Sequence, residues 1–187
     1  TNDALSLPVL VDVPVHETTP TLTTDVLTAC ANNTPTCLMI TGAIDGPRSG
    51  GQPKAFELYA ACAVDDLTTY GLGLANNGGG SDGEEFTFGS ALAVNAGEFI
   101  YVAEDSTAFE TWFGFAPDVE ASVANHNGND AIELFHNGIV VDQFGDPDDP
   151  TASANGWDFQ DGWVYRNNGT LPCAVVEGGC DWVSSNL

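Results

Sequence analysis

The stretch DAIELFHNGIVVDQFG, residues 130–145, limits what this chain can become more than any other. Two runs rich in β-branched and aromatic side chains flank His136-Asn137-Gly138, and Asn-Gly readily fills the two positive-φ positions of a tight hairpin turn. Runs of the same kind recur as CLMITGAI (37–44), KAFELYAACAV (54–64), EEFTFGSALAV (84–94), EFIYVAE (98–104) and DGWVYRN (161–167). Gly, Asn and Asp clusters separate them, and short strands punctuated in this way predict an all-β sandwich of two sheets. AFELY and AIELF share one pattern, each setting a glutamate, Glu57 or Glu133, between apolar neighbours. TAFETWFGFAPDV (107–119) reads as one helix or as a loop over the sheet.

Upstream, Val9, Val11, Val13 and Val15 alternate with Leu10, Asp12, Pro14 and His16, the period of a strand with one apolar face. Pro8 and Pro14 each lack a ladder donor, so this strand belongs at a sheet edge or on a separate extended arm. Such an arm is a candidate to join a neighbouring subunit's sheet, its four valines filling the neighbour's groove; the alternative is that it folds back on its own domain. The chain therefore divides into an extended N-terminal arm with a Cys loop (1–37), a sandwich (38–170) and a C-terminal disulfide loop and tail (171–187).

Cysteine placement points outside the cell. Cys30 and Cys37 bracket ANNTPT, Cys173 and Cys180 bracket AVVEGG, and each pair is a candidate local disulfide. Cys62, inside LYAACAV, reads as a buried free thiol. Sequons at Asn32 and Asn168 permit N-glycans, and His16, His126 and His136 fit no zinc-ligand spacing. No run approaches the roughly 18–20 apolar residues of a membrane-spanning helix. Twenty-seven acidic residues face only Arg48, Lys54 and Arg166, a formal net charge of -24. That charge repels nucleic acid and anionic membrane surfaces and attracts cations.

Two acidic loops are candidates for Ca²⁺, whose hard oxygen ligands they could supply. NNGGGSDGEEF (76–86) carries acids where a phosphate-binding loop needs lysine, so it reads as a turn or as a site using Asp82, Glu84 and Glu85. QFGDPDDPTASANGWDFQDGW (143–163) offers Asp146, Asp148 and Asp161 among its carboxylates, with Pro150 excluding an EF-hand. Glu57 or Glu133 from adjoining strands could complete the shell of this second site. Enzyme signatures are weak: GPRSGG has Ser49 out of place for a nucleophile elbow, and no catalytic residue is assigned. Trp112, Trp157, Trp163 and Trp182 are expected to pack in the core rather than stack on sugars.

The series MITGAIDGPRSGGQPKAFELYAACAVDDLTTYGLGLANNGGGSDGEEFTF, GEFIYVAED, NGNDAIELFHNGIVVDQFGD and DGWVYRNNGT resembles the lamin-tail-like domains of bacterial extracellular proteins, including those accompanying secreted nucleases. The resemblance covers about 38–170 and implies an immunoglobulin-like β-sandwich without implying catalysis; the nuclease's own catalytic domain has no counterpart here. The expected function is that of a secreted non-catalytic structural or adhesive protein, a fibre or surface-layer subunit. It would polymerise with itself by strand addition through the arm and be stabilised by cations. The alternative is a calcium-binding accessory module that targets a secreted nuclease or other hydrolase to its substrate or to the cell envelope.

Overall fold

The structure, a computed structural model, describes residues 36–89, 92–152, 156–168, 172 and 182–185. The expected arm with Val9, Val11, Val13 and Val15, the sequon at Asn32, and Cys30, Cys173 and Cys180 lie outside them. The strands are β1 (Leu38–Arg48), β2 (Gln52–Ala60), β3 (Tyr70–Ala75), β4 (Phe86–Thr87), β5 (Phe99–Ala103), β6 (Val119–Glu120), β7 (Ala131–His136), β8 (Ile139–Phe144), β9 (Trp163–Arg166) and β10 (Trp182–Ser184), with helix α1 (Ser106–Phe113) after β5. They form two sheets, one in the order β10-β9-β1-β2-β5-β6 and one in the order β4-β3-β7-β8. The fold is the expected all-β sandwich.

Period-two alternation sets the core. Leu38, Ile40, Phe56, Leu58, Ile100, Val102 and Val164 of the first sheet meet Leu72, Leu74, Ile132, Leu134 and Phe144 of the second in one buried cluster. Asn137 and Gly138 take φ values of 53° and 74°, joining β7 to β8 by the tight turn the sequence predicts.

Two expectations about strands are corrected. YGLGLA, not anticipated as a strand, is β3, paired to β7 along its full length. Its glycines are there for close approach: a Cβ on Gly73 would stand 2.3 Å from the Gly83 carbonyl oxygen, and one on Gly71 2.5 Å from that of Phe86. Conversely, among its described residues EEFTFGSALAV yields the two-residue β4, antiparallel to β3, and a bridge from Val94 to Val64. TAFETWF is helical. Asp105 caps α1 by accepting from the Ala108 amide at 2.9 Å, and Gly114 ends it at φ 83°.

Cys62 is neither buried nor a free thiol: it is bonded to Cys37, with 5.0 Å between Cα atoms. The expected Cys30–Cys37 loop gives way because Leu38 pairs with Ala60, which sets the start of β1 beside the end of β2 and brings the two cysteines together.

One polar assembly crosses the core. Arg166 of β9 donates through Nη2 to both Asp142 oxygens of β8 at 2.6 and 2.7 Å, and through Nε to the Ile40 carbonyl at 2.7 Å. The Ile40 amide donates to Asp142 Oδ2 at 2.8 Å. β1 pairs with β9 only over Gly42–Ile44, so the two side chains supply at Ile40 the partners that a longer ladder would have given.

Candidate functional site

The first sheet has a second face, and its residues follow from register. Gly42 pairs with Tyr165 on one side and Glu57 on the other, and Glu57 pairs with Tyr101, making one row across β9, β1, β2 and β5. The next row runs Trp163, Ile44, Ala55 and Ala103. α1 covers this second row, burying Phe109 against Ala55 and Ala103 with Ile44 and Tyr101 around them. The first row stays open. The result is a cleft of about 930 Å³ between Trp112 and Phe113 of α1 and Trp163 and Tyr165 of β9. Gly42 forms a recess in its floor, since no side chain stands between Tyr165 and Glu57.

The expectation that all four tryptophans pack in the core is thereby corrected. Trp157 and Trp182 do pack against it, but Trp112 is 41% exposed and Trp163 43%, beside Tyr165 at 46%. The rings of Trp163 and Tyr165 lie parallel within 17°, their centroids 5.4 Å apart. Tyr101 meets Phe115 edge-on at 5.1 Å, extending the aromatic surface. Contiguous exposed apolar surface on a folded domain marks an interaction site.

Charge in the cleft is negative. Glu57 is half-buried, accepts from Thr41 Oγ1 at 2.8 Å and pairs in register with Tyr101. Burial, then the Glu57 charge and its hydrogen bond, then Asp118, push the Tyr101 phenol well above its ordinary value, so it stays a neutral donor. Arg48 lies 4.9 Å over the Trp112 ring. The other two cations of the chain are buried in ion pairs, Lys54 with Asp45 at 3.2 Å and Arg166 with Asp142.

The residues proposed for metal fall in several places. The loop of Asp82 and Glu85 packs on that of Asp148, Gly80 donating to the Pro147 carbonyl at 3.0 Å. Glu133 of β7 accepts from Ser81 Oγ at 2.6 Å, and its carboxyl is raised above the ordinary range by burial and by the charges of Glu85, Asp148 and Asp82. Glu84 instead accepts from Thr87 Oγ1, Asp146 from the Asp148 amide, and the Asp161 amide donates to Asp45. Glu57 is on the other sheet. Among the described residues no three His, Cys, Asp or Glu side chains are arranged to hold a metal ion.

A smaller polar cleft of about 540 Å³ lies beside Lys54, lined by Asp45, Asn77, Asn127, Asn129, Gln160 and Asp161. Lys54 reaches the His126 carbonyl and, at 3.1 Å, Asn127 Oδ1. His126 is fully buried against Phe56, and burial first, then the Lys54 charge, pushes its pKa down to about 3.

Sequence reasoning missed the cleft, although its signal was present. WVYR and FIYVA each alternate aromatic with aliphatic or buried residues, which marks a strand with something on both faces. No protein family, curated protein or solved structure matches the chain.

Proposed function

We propose that this chain is an extracellular, non-catalytic adhesive domain of the lamin-tail-like kind, which works by presenting a binding surface rather than by carrying out a reaction. The observation that carries the reading is the aromatic cleft: exposed Trp163 and Tyr165 of β9 and Trp112 of α1 around a half-buried carboxylate. Rings held on strands lose little entropy on binding, which suits a surface used for contact. Beads coated with the protein in saline are expected to adhere to a panel of films, basic protein, neutral polysaccharide and silica, and the Trp163→Ala/Tyr165→Ala variant to release them. Equal adhesion of parent and variant on every film would end the reading.

A second reading, self-assembly into fibres through the N-terminal arm, is favoured by β8, which ends its sheet among the described residues. An edge strand is the acceptor that strand addition requires. Deleting residues 1–16 should then abolish filaments seen by negative-stain microscopy while leaving the thermal melt of the sandwich intact; filaments that persist remove the arm from the mechanism.

A further inference from the structure

We propose that the aromatic cleft binds the guanidinium and ammonium side chains of a basic polypeptide, holding them between Tyr165, Trp163 and Tyr101 over the Glu57 carboxylate. This assignment, which rests on the cleft being the adhesive surface, follows from charge and ring chemistry together. At a net charge of -24 the chain repels anionic ligands. A second copy is a poor partner too, because it carries the same -24 charge and, with Lys54 and Arg166 buried in ion pairs, offers Arg48 as its one exposed Lys or Arg side chain.

Aromatic faces attract cations through the ring quadrupole, and the wall of this cleft already holds one such contact, Arg48 over Trp112 at 4.9 Å. The floor supplies the counter-charge. Glu57 accepts from Thr41, and a carboxylate with about four lone-pair sites has capacity left for a fork of N–H donors. Gly42 opens the path: without a side chain between Tyr165 and Glu57, an alkyl stem can lie along the ring and bring its charged end to the carboxylate. The cleft's 930 Å³ exceeds a single side chain, which fits a polypeptide segment better than an isolated ammonium ion.

The test is isothermal calorimetry of the whole chain with oligo-arginine, oligo-lysine and a neutral cello-oligosaccharide across a salt series. Both peptides should bind, with affinity falling as salt rises. Tyr165→Ala and Trp163→Ala should each weaken binding about tenfold, the size of one well-desolvated cation–π contact. Glu57→Gln should cost as much. Asp66→Asn removes the same unit of charge from an exposed turn away from the cleft and should leave affinity near the parent's. Thermal melts confirm that each variant is folded. Ring variants that bind like the parent, or Asp66→Asn matching Glu57→Gln, would reduce the effect to diffuse attraction and overturn the site. Cleft-dependent, salt-independent binding of the oligosaccharide would overturn the ligand class and leave the adhesive reading standing; adhesion that ignores the ring variants would sink both.

Discussion

Replacing Asp142 by alanine strips the core of the carboxylate that faces Arg166, and the size of the loss can be worked from the contacts. The Asp142 side chain is 0% exposed and that of Arg166 3%, so the guanidinium is left in the interior with its main counter-charge gone. Removing one partner of such a pair costs about 3–5 kcal/mol, and the Ile40 amide, which loses its acceptor, adds to it. Against a total stability of about 5–15 kcal/mol, a loss of about 4 is severe. With a urea slope of about 2 kcal/mol/M, the midpoint should fall by about 2 M. The double variant Asp142→Leu/Arg166→Leu separates ion pairing from backbone satisfaction. It removes both charges, and replacing a buried pair by apolar groups is often neutral, but the Ile40 amide and carbonyl both lose partners, so about half of the single-variant loss should remain. Equilibrium urea unfolding, followed by tryptophan fluorescence, reads all three proteins. A single-variant loss below about 1 kcal/mol, or a double-variant loss as large as the single's, would refute this account of the network.

Three further outcomes are expected. Cys62→Ser opens the loop closed by a sequence separation of 25 and should cost about 3.5 kcal/mol, read as a lowered thermal midpoint that dithiothreitol reproduces in the parent but not in the variant. His126 has a folded pKa of about 3 against an ordinary 6.5, so the unfolded chain binds the extra proton: its contribution is whole above pH 6.5 and is lost as pH falls toward 3. NMR should show the His126 imidazole still neutral at pH 5, and a midpoint near 6.5 would contradict the burial argument. Raising NaCl should raise the thermal midpoint by screening the -24 charge. At matched ionic strength CaCl₂ should exceed MgCl₂ if the carboxylates around Glu133 take Ca²⁺ as ligands, whereas equal responses leave them as a diffuse cloud.

Local signals in this chain were legible where one short-range rule governs. Asn137-Gly138 demanded its turn, and the apolar runs that became β1, β2, β5, β7, β8 and β9 were recognisable as strands from their composition and the turn residues between them. What stayed hidden depended on pairing across distance. Cys62 could not be matched to Cys37 until the register of β1 on β2 was known, so the local spacing pointed to Cys30 and left Cys62 as a free thiol. β3 was disguised by Gly71 and Gly73, whose purpose is to admit the backbone of another segment. Trp163 and Trp112 read as core because large apolar residues usually are; that they face one cleft follows from the α1 position over half of the sheet. The shared pattern of AFELY and AIELF drew attention to Glu57 and Glu133, but one sits on each sheet, so they serve separate surfaces.

The Cys37–Cys62 bond also determines how the domain answers to pulling. Tension arriving from the N-terminal side enters at Cys37 and divides at once between the first residue of β1 and the turn after β2, so that end of the β1–β2 hairpin cannot be peeled apart like a zipper. If the sandwich yields, the 25-residue separation stays locked behind the bridge, withholding roughly 80–90 Å of extension until the sulfurs part. In a single-molecule stretching trace the oxidised domain should therefore lengthen less than the reduced one by that amount. Redox state would act as a setting for extensibility: short and stiff in oxygenated surroundings, with a reserve of slack released by reduction.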